Sequence, residues 1–119
     1  MKLIIAIVQP QKLESVKSAL SAVDVFRLTI VDCQGFGRNP GKSESDSGMT
    51  TSDDPLANMH RKVQLQIAVN EEFVEPTISA IVKAGRTGDD GEPGDGKIFV
   101  LPLDECVRIR TGERGPEAI

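Results

Sequence analysis

The chain has 119 residues, 39% of them hydrophobic and 27% charged, with a formal net charge of -4. That length suits one domain, 1–119, and leaves no room for separate cofactor and substrate domains. The acidic balance argues against a nucleic-acid partner, which would need a broad basic surface, so any anion site has to be local.

Lys2 to Gln9 (KLIIAIVQ) is a β-branched apolar run closed by Pro10, which predicts a central strand buried on both faces. From Gln11 to Val23, Leu13, Val16, Ala19, Leu20 and Val23 recur at helical steps, predicting an amphipathic helix. Val25 to Gln34 reads as a second strand, interrupted by Gly35 and Gly37. Residues 38–61 then form a long polar loop rich in serine and aspartate. A loop of that length inside a compact domain is usually functional or disordered, and a functional loop is expected here. Arg61 to Asn70 (RKVQLQIAVN) alternates Val63, Leu65, Ile67 and Val69 with polar residues, the pattern of a strand with one buried face. Glu72 to Gly85 is a second amphipathic helix, with Glu71 and Glu72 suited to its N-terminus. A glycine-rich loop follows at 87–97, then an apolar strand from Lys97 to Leu103 and a C-terminal segment at 104–119.

Two βαβ units predict an α+β, ferredoxin-like βαββαβ sandwich: an antiparallel four-stranded sheet with two helices on one face. The other face would be covered by subunit association in a homo-oligomer.

Chemistry concentrates near the C-terminus. Thr87-Gly88 and Gly94-Asp95-Gly96-Lys97 are glycine turns that let backbone N–H groups approach a phosphate, with a lysine adding charge. Arg108 and Arg110, in RIRTGERG, place two guanidinium groups on one side of an extended segment, a geometry suited to a polyphosphate. His60, the single histidine, reads as a surface residue, and the loop aspartates Asp46, Asp53 and Asp54 as solvated. Cys33 and Cys106 lack the number and spacing of a disulfide framework or zinc site and read as buried thiols. No apolar stretch reaches the roughly 18 residues of a membrane span, and the opening lacks a signal peptide's pattern, so a cytoplasmic location is expected.

GFGR at Gly35–Arg38, RTG at Arg86–Gly88, GDGKIFV at Gly94–Val100 and RIRTGERG at Arg108–Gly115 resemble the nitrogen-regulatory PII signal-transduction proteins, over nearly the whole chain. The resemblance implies a trimer binding ATP or ADP in clefts between neighbouring subunits. Gly94, Asp95, Gly96 and Lys97, with Thr87 and Gly88, would form the phosphate loop, called the B-loop. Arg108 and Arg110 would reach the phosphates across the subunit boundary. Ile7, Gly35, Phe36 and Gly37 would line the adenine pocket, Arg38 would approach the phosphates from the long loop, and Thr29 and Gln66 would neighbour the purine. Family members typically carry a glutamate where this chain has Gln66.

The resemblance further implies 2-oxoglutarate beside Mg-ATP, gripped by Lys62, with Asn39 completing the magnesium shell where typical members have glutamine. The 38–61 segment corresponds to the family's T-loop, which docks on a transporter or a nitrogen-metabolism enzyme. Tyrosine nucleotidylation, known in the family, is excluded because the chain has no tyrosine. Ser43, Ser45 and Ser47 read as solubilising residues. Both this loop and the 88–96 loop are longer than usual for the family, the latter adding Asp89, Asp90 and Glu92 beside the phosphate site. No nucleophile or base accompanies the cations, so a regulatory binding protein is expected, with slow ATP hydrolysis at most a side activity. The alternative is a divergent PII-like nucleotide sensor answering a different effector or partner.

Overall fold

The computed structural model describes residues 1–37 and 59–119. Arg38, Asn39 and the serines and aspartates expected in the long loop lie outside the described residues. Strands β1 (Lys2–Val8), β2 (Thr29–Phe36), β3 (Met59–Val69) and β4 (Gly96–Pro102) form one sheet, and helices α1 (Leu13–Ala22) and α2 (Glu71–Gly85) pack on it. Single 3₁₀ turns lie at Pro10–Lys12 and Gly115–Ala118. The strand order is β2-β3-β1-β4, with every neighbouring pair antiparallel. This is the ferredoxin-like arrangement expected.

The helices cover one face only. Ile4, Ala6 and Val8 of β1 and Val63, Leu65, Ile67 and Val69 of β3 are buried with Val16, Leu20, Ala80 and Ile81 of the helices. Burying each large aliphatic side chain contributes about 1.5–3 kcal/mol. The register Ile4↔Ile67, Ala6↔Leu65 and Val8↔Val63 sets these residues side by side. Pleating sends the intervening residues to the other face: Leu3, Ile5 and Ile7 on β1, Thr29, Val31, Cys33 and Gly35 on β2, Lys62, Gln64, Gln66 and Ala68 on β3, and Lys97, Phe99 and Leu101 on β4. The expectation that β1 is buried on both faces therefore fails for the single chain, where Leu3, Ile5 and Ile7 are half-buried. Val31, Phe99 and Leu101 are 39%, 48% and 41% exposed, leaving an uncovered apolar surface.

Other departures have local causes. Val25 to Leu28 is not strand. At the end of α1, the Val25 amide donates to the Leu20 carbonyl at 2.9 Å and the Asp24 amide to Ser21 at 3.1 Å. Asp24 takes the left-handed conformation, φ 63°. This is a Schellman cap with aspartate in the position glycine usually fills, so buried Val25 packs against the helix end instead of entering the sheet. At the other end β2 continues through Gly35 to Phe36, opposite Met59, and β3 consequently starts three residues inside the segment read as loop.

Helix α2 accommodates Pro76 inside it. The ring removes the amide that would bond the Glu72 carbonyl, on a side exposed to water. Its neighbour Thr77 is fully buried, and its hydroxyl has no hydrogen-bond partner among the described residues. Thr77→Val should accordingly raise the unfolding free energy by about 1 kcal/mol, whereas Leu65→Ala should lower it by about 3 kcal/mol; urea titration followed by circular dichroism measures both.

Candidate functional site

The C-terminal ends of β1 and β2 and the N-terminal ends of β3 and β4 meet at one edge of the open face. They enclose a cleft of about 260 Å³ lined by Ile7, Gly35, Phe36, Gly37, His60, Lys62, Gly94, Gly96 and Lys97. Eight of these nine are residues that the sequence singled out for nucleotide or effector binding. The ninth, His60, is 5% exposed and stands opposite Gly35 on β3. It is a lining residue, not the surface residue expected.

Gly96 fixes the mouth of the cleft. Its φ of 112° is closed to ordinary side chains, and a Cβ there would lie 1.8 Å from the Ile7 carbonyl oxygen. Only glycine lets β4 start against the end of β1. Just before it, the carboxylate of Asp95 is turned into its own loop. Its Oδ2 accepts from the Thr87 amide at 3.0 Å and the Glu92 amide at 2.8 Å, and its Oδ1 from the Thr87 hydroxyl at 2.6 Å and Gln9 Nε2 at 3.2 Å. Asp95 thus fastens the B-loop, and Thr87 is engaged in the same fastening instead of facing the cleft. Gln9, 4% exposed, also donates to the Gly94 carbonyl at 3.2 Å, and Lys62 Nζ donates to that carbonyl at 2.5 Å. Neither Gln9 nor His60 was read as a site residue in the sequence. For His60 the signal was present, two positions before Lys62 on an alternating strand.

The remaining expected residues lie elsewhere. Gly88, with φ 64°, lies in the loop beyond the cleft lining, close to the exposed Asp89, Asp90 and Glu92. Thr29 and Gln66 are paired across β2 and β3, six positions from Gly35, about 20 Å along the strand. They line a separate depression with Leu3, Leu28 and Ile119, and Gln66 Nε2 donates to Gln64 Oε1 at 2.8 Å. They share the open face with the cleft but not its walls.

Arg108 and Arg110 are not on one side of an extended segment. Residues 107–114 form a tight turn closed by the Val107↔Arg114 bridge and by the Gly112 amide on the Arg108 carbonyl at 2.7 Å. Arg108 pairs with Glu113 at 2.7 Å and donates to the Glu117 carbonyl at 3.0 Å. Ile109, at the tip, is fully exposed. The chain end is held by its own body, through Asn70 on the Pro116 carbonyl and Arg27 on Ile119. Within one chain neither arginine reaches the cleft. Cys33 and Cys106 are half-buried and not the fully buried thiols expected.

The model of the family described as "Nitrogen regulatory protein P-II" matches residues 1–113. The chain belongs to the P-II family. It is 48% identical over 119 residues to "Nitrogen regulatory protein GlnK1" of Methanosarcina mazei, covering 100% of this chain and 97% of that one. "Nitrogen regulatory protein P-II" of Azospirillum brasilense is 44% identical over 119 residues, covering 100% of both chains. Among solved structures, Arabidopsis thaliana PII bound to citrate superimposes with a TM-score of 0.76 at 34% identity, over 99% of this chain and 91% of that one. The names of these P-II relatives are those of regulatory proteins, not enzymes. Among the described residues no helix is long and apolar enough to cross a membrane.

Gly96→Ala should lower stability by about 3 kcal/mol or more, since backbone would have to move. Gly88→Ala, which meets no atom within 4 Å, should lose only about 1–2 kcal/mol for its left-handed φ. Thermal melts of the two variants test the difference.

Proposed function

We propose that this P-II protein senses adenine nucleotides in the cytoplasm, binding ATP or ADP at clefts between the subunits of a homotrimer and regulating a nitrogen-metabolism enzyme or an ammonium transporter through residues 38–58. The observation carrying this reading is the convergence of Lys62, Lys97 and the Gly94–Gly96 turn with Gly35–Gly37 in one cleft on an uncovered sheet face. Cations beside glycine backbone suit phosphate, and Ile7 and Phe36 supply apolar contact for a base. The open face favours a subunit as its cover: Val31, Phe99 and Leu101 would be buried there. A projecting 107–114 turn suits Arg108 and Arg110 to a neighbour's cleft, with Glu113 yielding Arg108 to the phosphates.

In the same reading 2-oxoglutarate binds beside Mg-ATP through Lys62 and Asn39. The described part of the cleft offers cations and little oxygen donation, so magnesium would arrive on the nucleotide phosphates, with Asn39 as its protein ligand. The solved Arabidopsis relative is bound to citrate, a polycarboxylate, which supports an anion site of this kind. The divergent-sensor reading is favoured by Gln66, whose amide is engaged with Gln64, and by the acidic Asp89, Asp90 and Glu92. In it the nucleotide cleft is kept and the second effector differs.

Calorimetry with ATP and ADP, each with and without magnesium and 2-oxoglutarate, tests these readings. Tight ATP binding strengthened by 2-oxoglutarate supports the first. Binding indifferent to 2-oxoglutarate leaves the divergent sensor, and no nucleotide binding overturns both. Lys97→Ala and Arg108→Ala should each weaken ATP about 10- to 100-fold, the loss of one charged hydrogen bond, while Ser45→Ala should leave it unchanged.

A further inference from the structure

We infer that Gln9 is a positioning residue for the B-loop: without touching the ligand, its side-chain amide holds the Gly94–Asp95 corner in the form that receives phosphate, and so sets how strongly the cleft prefers phosphate-bearing ligands. The inference rests on the nucleotide reading above and adds to it a residue outside the cleft lining.

Gln9 directly follows β1 and precedes Pro10. Its backbone is fixed from both sides. A following proline restricts a residue to extended conformations, and Gln9 has φ -71° and ψ 141°. Its carbonyl accepts from the Lys12 amide at 2.9 Å, closing the 3₁₀ turn that leads into α1. The residue is buried and is not among those that line the cleft. Both ends of its side-chain amide are engaged. Nε2 donates to the Gly94 carbonyl and to Asp95 Oδ1, each at 3.2 Å, while Oε1 accepts from Gln11 Nε2. Only a donor fits against a carbonyl and a carboxylate oxygen, so the amide has one workable orientation.

These contacts act on the phosphate side of the cleft. Gly96 is seated against the Ile7 carbonyl because it lacks a side chain, and Gln9, two residues along the same strand end, holds Gly94 and Asp95. The turn is thus anchored at two points. The hydrogen bonds of the Gln9 side chain run to this turn and to Gln11, and none runs to the Ile7 and Phe36 side that would meet a base. A loop held in its binding form before the ligand arrives removes an ordering cost from binding. With the Gln9 donors gone, the Gly94 carbonyl still has Lys62, and Asp95 still has Thr87 and Glu92. The loop therefore persists but loosens at its corner, where a buried acceptor has lost a partner.

Gln9→Met keeps the side chain's length and removes its donors. Calorimetry of this variant should show ATP binding weakened about tenfold. Adenosine, which carries no phosphate, should bind it within about twofold of the natural protein in an NMR titration. ATP binding unchanged by Gln9→Met overturns the inference and leaves the nucleotide reading standing. An equal loss for ATP and adenosine does the same, since a general structural role would produce it. No ATP binding by the natural protein overturns that reading and this inference together. Amide hydrogen exchange without ligand is a second measure: the Thr87 and Glu92 amides, which bond Asp95, should exchange about tenfold faster in Gln9→Met, with the Leu65 amide unchanged. Unaltered rates at Thr87 and Glu92 overturn the inference. The natural protein supplies a test that needs no substitution. Its Gln9 Nε2 protons should exchange slowly with solvent both with and without ATP, and fast exchange in the ATP-bound state, showing the amide released from the loop, overturns the assignment.

Discussion

Period-two alternation along β1 and β3 decides almost everything else in this molecule. One set of side chains, Ile4, Ala6 and Val8 with Val63, Leu65, Ile67 and Val69, is committed to the helices. The complementary set is thereby committed to the uncovered face, where Ile7, Lys62 and Lys97 meet. A slip of one residue would exchange the two sets, exposing the core and burying the lysines. Core and site are consequently two sides of one constraint, and the register that stabilises the fold also aims the cations.

Within that frame the electrostatics of the B-loop are divided by function. Asp95, between the cleft-lining Gly94 and Gly96, is turned inward onto Thr87, Glu92 and Gln9. Its carboxylate is held by amide and hydroxyl donors, so it organises the loop. Lys62 bridges from β3 to the Gly94 carbonyl, joining loop and sheet. The loop's shape is thus set by hydrogen bonds that Asp95 accepts from Thr87, Glu92 and Gln9, while Asp89 and Asp90 stay exposed.

The sheet, both helices and their order were legible because repeated patterns over many residues carry that information. So was most of the cleft, because its glycines and lysines stand at strand ends that the topology brings together. Single-residue departures were not legible. Asp24 caps α1 in a conformation usually given to glycine, which ended the helix differently and delayed β2 to Thr29. Asp95 is expected in the phosphate loop by its place in GDGK, but that its carboxylate fastens the loop shows only in its hydrogen bonds. His60 reads as a surface residue when taken alone, and only its parity with Lys62 on the alternating strand places it in the cleft. The arginines of RIRTGERG depended on a turn that closes through backbone pairing at Val107 and Arg114, which strand-like spacing does not encode.

The approach of Gly96 to Ile7 has an evolutionary side. Closing a flexible loop becomes only about 0.6 kcal/mol costlier each time its length doubles, so added length around Asp89 and Asp90 is nearly neutral for stability. The anchors on either side are different: Thr87 and Asp95 hold each other, and residue 96 tolerates no side chain. Length and charge around Asp89 and Asp90 can therefore change at little cost to the fold, while Gly96 stays fixed against Ile7. The surface beside the cleft can change by insertion, without any alteration of the core.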